Sequence, residues 1–183
     1  MERTLARRSA TVRGAAVRKR QFARVLGGGL PLKEGSMQFS GSVVIRAPRD
    51  KVWAFVTDPL AVGGCGPGVE SVQRVDDTHY RAIAKIGVGF ISARFAGDIT
   101  LVEQVAPERA VMKLHGQAPG SAADAVATML LRDGDEPGTT IMDWVADVTI
   151  SGSLAAVGAR LIEGTANKLT AQTFDCIREK LEA

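Results

Sequence analysis

The chain has 183 residues, 45% of them apolar and 23% charged, enough for one hydrophobic core beneath a solvated surface. Its net charge of +3 conceals an uneven split: Met1 to Ser36 hold nine Lys/Arg against Glu2 and Glu34, a net +7, while the rest hold 14 basic and 18 acidic residues, a net −4. An acidic body whose aromatics do not interleave with basic residues argues against sequence-specific nucleic-acid recognition, and the lack of any run of about 18 uncharged apolar residues excludes a membrane-spanning helix.

In residues 1–36, Arg3, Arg7, Arg8, Arg13, Arg18, Lys19, Arg20 and Arg24 are scattered among Ala, Val, Thr and Leu, and Gly27-Gly28-Gly29 and Pro31 follow. This composition reads as an appended arm with a flexible hinge, and it lacks the continuous apolar core of a secretory signal. Three readings are open: a basic arm for a membrane surface or partner, an organellar transit peptide, or translated sequence upstream of a start at Met37. Residues 37–183 are expected to form one domain, soluble and made in the cytosol.

Phe39, Gly41, Val43 and Ile45 alternate with polar neighbours, which predicts a first strand. Pro48 suits the start of a helix, and Val52, Phe55 and Val56 recur at helical spacing as far as Asp58-Pro59, with Trp53 on the edge of about three turns. Leu60 to Cys65 allows a second short helix before the turn Gly66-Pro67-Gly68 and a strand from Val69 to Val75. Five further strands are predicted over Tyr80–Val88, Ile91–Val102, Arg109–Gly116, Asp124–Leu131 and Thr140–Ile150, joined at glycine- and proline-bearing turns. After Ser151 to Ser153, Leu154, Ile162, Leu169, Ile177 and Leu181 keep one apolar side, which predicts a helix of up to about 29 residues, roughly 43 Å long. A meandering sheet with one apolar face cannot bury it alone, so the helix must lie across it. The fold class is therefore α+β: a curved antiparallel sheet around a long C-terminal helix, with two short helices after the first strand.

Strand parity selects the face under that helix, on which charged residues are absent. Its candidate ligand-binding side chains are Tyr80, Ala82 and Ala84; Ala93 and Phe95; Met112 and Leu114; Ala127 and Met129; and Met142 and Trp144. Trp53 from the first helix joins them, with Val157 and Leu161 from the last element. Alanines opposite Leu and Ile leave volume that either a closely seated helix or a cavity must fill. Gly158 and Gly164 favour close seating, while three methionines and two tryptophans suit a flat or chain-like apolar ligand.

Cys65 and Cys176 lie far apart, without a CxxC or paired His, so both read as ordinary buried or half-buried thiols and neither a disulfide framework nor a zinc site is expected. No nucleophile with its base, no carboxylate cluster and no phosphate-cradling loop stands out. Gly87-Val88-Gly89 reads as a hairpin joint, and His79 and His115 as surface residues. Tyr80 is the clearest ionisable residue on the inward face.

Several joints carry a more specific signal: Gly41 to Pro48, Lys51-Val52-Trp53-Ala54-Phe55, Cys65-Gly66-Pro67-Gly68-Val69-Glu70-Ser71-Val72, and Lys85-Ile86-Gly87-Val88-Gly89. Further along stand Ser92-Ala93-Arg94-Phe95-Ala96-Gly97, Ala146-Asp147-Val148, Gly152-Ser153-Leu154-Ala155 and Gly158-Ala159-Arg160-Leu161-Ile162. Together they resemble the G-subunit family of carbon monoxide dehydrogenase, within the START-like, helix-grip superfamily of polyketide cyclases and lipid carriers. The resemblance spans essentially residues 37–183. It implies a helix-grip fold, an interior apolar pocket, and service to a molybdenum-containing dehydrogenase at the inner membrane surface. Two departures stand out: the second-helix segment Ala61-Val62-Gly63-Gly64 is glycine-rich, and Leu130 occupies an outward position where a polar residue is expected.

The expectation is a non-enzymatic binder, with no intrinsic cofactor, that takes an isoprenoid quinone or a lipid and places it near a redox partner. It would be cytoplasmic and peripheral at the inner face of the membrane. Two alternatives stay open: a cyclase-like enzyme acting on an apolar chain, for which Tyr80 would move a proton, and a ligand-free factor that recruits the dehydrogenase to the membrane.

Overall fold

The computed structural model describes residues 36–183. The basic arm, and every reading of it, lies outside the described residues. The order is β1 (Ser36–Ile45), α1 (Arg49–Val56), α2 (Pro59–Gly63), β2 (Val69–Arg74), β3 (His79–Val88), β4 (Ile91–Val105), β5 (Arg109–Ala118), β6 (Ser121–Asp133), β7 (Thr140–Gly152), a short turn of 3-10 helix (Ala155–Val157) and α3 (Ala159–Glu182). The seven strands form one antiparallel sheet in the order β1-β7-β6-β5-β4-β3-β2.

Because β1 and β2 are opposite edges of that sheet, the segment between them must cross its full width. Helices α1 and α2 make this crossing and close one end of the concave face. A register shift between Leu101 and Glu103 interrupts the β4–β5 ladder, and a bulge of this kind bends its strand and sharpens the twist. Strand parity separates the faces as expected. Arg81, Asp98, His115 and Asp124 line up in register across the outer face, with Arg81 Nε 3.6 Å from Asp98 and His115 Nδ1 2.6 Å from Asp124. These side chains are largely solvated and add little stability, but they keep the outer face wet.

The predicted C-terminal helix differs at its start. Residues Leu154 to Gly158 do not belong to it: Gly158 has a φ of 93°, a left-handed backbone that glycine adopts without strain, and it breaks the 3-10 turn from α3. No side chain caps α3, and Ser151 and Gly152, next to the predicted start of the helix, end β7 instead. At 24 residues the helix is about 36 Å long. Helix α1 is likewise shorter than expected, eight residues rather than three turns.

The reading of the cysteines is corrected. Cys65 and Cys176 form a disulfide across 111 residues of sequence, with their Cα atoms 5.4 Å apart. The bond ties the segment after α2 to the last two turns of α3. Sequence separation concealed a pair that the crossing of α1 and α2 beneath α3 brings together.

Candidate functional site

The core is divided. One cluster gathers Ile45, Ala47, Val52, Val56, Cys65, Leu131, Met142, Ile177 and Leu181, with Trp53, Phe55, Met129 and Phe174 packed on it. Buried Thr140 seals this end by donating its hydroxyl to the carbonyl oxygen of Ala47 at 2.7 Å. A second cluster, of Val88, Leu154 and Ile162, gathers Met37, Ile86, Ile91, Phe95, Ile150 and Val157 around it.

Between the clusters the concave face is built from small residues. In register, Ala82 faces Gly97, Gly116 and Ala123, while Met112 faces Ala127 and Ala146. Leu114 stands beside Ala125, and is 37% exposed although it lies on the inward parity. Ala82, Ala84, Ala93, Ile99, Met112, Ala125 and Ala127 are only half-buried. The helix above shows the same interruption. Ile162 and Ile177 are buried, yet none of the residues between them is; Thr165, Ala166, Leu169, Thr170, Thr173, Phe174 and Cys176 are half-buried and the rest exposed. A helix seated on a sheet buries a side chain at every turn. Helix α3 approaches β1 and β3, near the two edges, more closely than the strands between them, so it spans the concave face and leaves its middle unfilled.

Aromatic residues bound this middle region on one side. The Trp144 indole lies over Gly41 of the neighbouring strand, where a Cβ would meet it at 3.0 Å, and its ring is 5.6 Å from that of Phe174. Gly41 is thus needed for the indole to lie flat along the wall. Tyr80, 2% exposed, stands at the β2 side, where Arg74 Nη2 donates to its hydroxyl at 3.2 Å and the guanidinium sits 5.6 Å from the ring centroid. That hydrogen bond is the leading cause that raises the Arg74 pKa above its ordinary value, so the partner of the phenol stays cationic.

The candidate residues therefore separate into five groups. Ala82, Ala84, Ala93, Met112, Leu114, Ala127 and Trp144 border the unfilled middle. Trp53, Met129 and Met142 belong to the first cluster, with Met142 1% exposed and part of the packing itself, and Phe95 and Val157 lie against the second. Tyr80 is sealed at the side. Leu161 is 46% exposed and faces out at the end of the domain. Sequence reasoning missed Ala166 and Phe174, and placed Leu169 on the apolar side of the helix without counting it among the lining residues. Carrying the helical stripe on from Ile162 in steps of three and four adds Ala166, brings Leu169 into the lining and excludes Leu161, one residue off the stripe.

A groove of about 390 Å³ lies elsewhere, between the start of α1 and the β6–β7 turn, lined by Arg49, Asp50, Asp133 and Glu136 among others. Its charged walls, with Arg49 Nε 3.5 Å from Asp133, do not suit an apolar guest, and it does not open on the small-residue face. Among the described residues no group of three or more His, Cys, Asp or Glu is placed to hold a metal ion, and no helix is long and apolar enough to cross a membrane.

Solved structures share this architecture at low identity, which speaks for the fold alone. A conserved protein from Geobacillus kaustophilus superposes with a TM-score of 0.74 at 20% identity, over 80% of this chain and 95% of its own. A START superfamily protein from Mycobacterium smegmatis gives 0.62 at 12% identity, over 79% of this chain and 97% of its own. A Streptomyces aromatase/cyclase gives 0.61 at 12%, over 80% and 94%. No curated protein matches the chain. Residues 41–182 match the CoxG family, that of the carbon monoxide dehydrogenase G subunit, and with most of its length matched the chain belongs to that family.

Proposed function

We propose that the protein is a non-enzymatic carrier of an apolar molecule, an isoprenoid quinone or a lipid, working at the inner face of the membrane beside a molybdenum-containing dehydrogenase. The observation that carries this reading is the stretch of α3 between Ile162 and Ile177, which buries no side chain above a sheet centre of Ala and Gly. Such a gap bordered by Met112, Leu114 and Trp144 is thermodynamically poor when wet, and a long apolar ligand is held there by about 25 cal/mol for each Å² it hides from water. The family name supports the dehydrogenase as partner, and the START-like fold supports an apolar guest. The chemistry would belong to the partner, and this chain would supply burial and orientation.

Native mass spectrometry of freshly purified protein tests the reading. A bound species of lipid or quinone mass, released by organic solvent, is expected; protein of bare chain mass throughout, which also takes up no added quinone, would refute it.

A second reading, a cyclase-like enzyme, rests on Tyr80, whose hydroxyl receives a hydrogen bond from Arg74 but finds no acceptor for its own proton among the described residues. If the wild type changes the ligand's covalent structure on incubation while Tyr80→Phe takes the ligand up and leaves it unaltered, the enzyme reading gains; equal recovery of unaltered ligand from both proteins favours the carrier.

A further inference from the structure

The two ends of the sheet differ in charge. In an antiparallel meander alternate turns fall at opposite ends. The β2–β3, β4–β5 and β6–β7 turns carry Asp76, Asp77, Glu108, Asp135 and Glu136. At the other end no charged residue occurs between Lys85 and Arg94, between His115 and Asp124, or between Asp147 and Arg160. These three uncharged segments are the β3–β4 turn, the β5–β6 turn and the connection from β7 into α3.

They also form one surface. Ser153 N–H donates to the Gly120 carbonyl oxygen at 2.8 Å, and Leu154 N–H donates to Ser121 Oγ at 3.1 Å. A Cβ built on Gly89 would meet Leu161 Cδ1 at 3.3 Å, so the β3–β4 turn touches the first turn of α3. From this surface Phe90 protrudes, 88% exposed, with Leu161 beside it. Two exposed apolar side chains together on an uncharged surface, unlike a lone one, mark an interaction site.

Several observations say what covers it. Lys85 and Arg94 are register partners in this hairpin, three pairs behind its last pair, Val88–Ile91, and Arg160 stands exposed at the start of α3. Lys85 and Arg160 form no salt bridge among the described residues, while Arg94 is held by Glu70 at 2.6 Å. Ser36 pairs with Thr149, so the described chain begins at this end, directly after a sequence segment carrying nine Lys/Arg. An uncharged apex with an aromatic at its point and cations behind it is complementary to a bilayer with anionic headgroups, which accepts the ring at the interface and attracts the charges. The acidic turns would then face away from the lipid.

We propose that the β3–β4 turn, with Phe90 at its apex and Leu161 at its side, is the surface by which the domain docks on an anionic lipid bilayer. The docking rests on the membrane-side reading given above and adds where contact is made: beside the second core cluster, at the end of the unfilled middle that α1 and α2 leave open.

The test is co-sedimentation of the full chain with vesicles of phosphatidylcholine containing phosphatidylglycerol, at low and at high salt. Phe90→Asp is compared with Val75→Asp, which places the same charge on an exposed valine at the opposite end. Phe90→Asp is expected to weaken vesicle binding on the order of tenfold, most clearly at high salt where the purely ionic part is screened, and Val75→Asp to leave it unchanged. Equal binding by Phe90→Asp and wild type, or equal losses in both variants, would overturn the proposal. So would a wild type that ignores vesicles but loses a co-purifying protein partner on Phe90→Asp. Quinone uptake from detergent solution, measured on the same proteins, keeps the two readings apart: uptake with Phe90-independent vesicle binding removes only the docking surface, and Phe90-dependent docking without uptake removes only the carrier.

Discussion

In its last two turns helix α3 presses Ile177 and Leu181 into a cluster that also holds Val52, Val56 and Met142, whereas over the three to four turns before Ile177 it buries nothing. The same helix, over the same sheet, is packed like a protein interior at one end and stands off in the middle. The difference lies in the partners. At the packed end α1 and α2 fill the space beneath the helix, Cys65 and Cys176 are bonded, and Leu131 and Met142 come up from the sheet. In the middle the sheet offers Ala and Gly, and the helix offers Thr and Ala. Stability is concentrated where the chain is closed, and binding capacity where it is not.

That contrast is broken most strongly by truncation. Met142→Ala at the packed end is expected to cost about 2–5 kcal/mol, while Met112→Ala in the middle should cost clearly less, because its side chain already lacks neighbours on one side. Urea unfolding of both variants checks this, and similar costs would mean that the middle is packed after all. Next in size is the disulfide. A bridge closing so long a loop contributes about 2–4 kcal/mol, so replacing both cysteines by serine, or adding a reductant, should lower the unfolding free energy from urea titration by that amount without changing quinone uptake. In a reducing cytosol the pair would stand as two adjacent thiols, which thiol labelling of protein taken directly from cells would reveal.

Enlargement gives the converse comparison. Ala110 is 1% exposed, and Ala110→Phe should cost about 1–3 kcal/mol through overpacking. Ala127→Phe, over the gap between Met112 and Ala146, should cost little or nothing. Thermal unfolding of the two distinguishes a filled site from an empty one.

The smallest expected effect lies at the acidic turn end. Backbone N–H donation from Thr78, and then the His79 side chain, hold the Asp76 carboxyl down to about 2. A depressed carboxylate contributes stability above its unfolded value, near 3.8, and loses it as pH falls toward 2. Asp76→Asn should therefore unfold slightly more easily than wild type near neutrality, and the two should converge in strong acid. The Asp76 side chain is more than half exposed, so the gap is small, and quinone uptake should not follow it.

Much of this architecture is legible in the residues. Period-two alternation places the inward and outward faces of β3, β6 and β7 correctly, and the joint motifs lead to the family. The alanine stripe marks the centre of the sheet. Three features were hidden for identifiable reasons. The disulfide joins positions 111 residues apart, and only the crossing of the sheet by α1 and α2 brings them together. The start of α3 depends on the left-handed backbone at Gly158, which a pattern of apolar residues does not report. Met142 and Leu161 share the composition of lining residues, yet position along the element decides their fate: Met142 sits at the closed end of β7, and Leu161 one residue off the helical stripe.

The unfilled middle is tested most directly by titrating wild type and Ala127→Phe with a short-chain quinone while following fluorescence, since Trp144 borders the site. The account predicts saturable quenching in the wild type and loss of that saturation in Ala127→Phe, at unchanged folding stability. A wild type that does not saturate, or an Ala127→Phe variant that binds as well as the wild type, would contradict it.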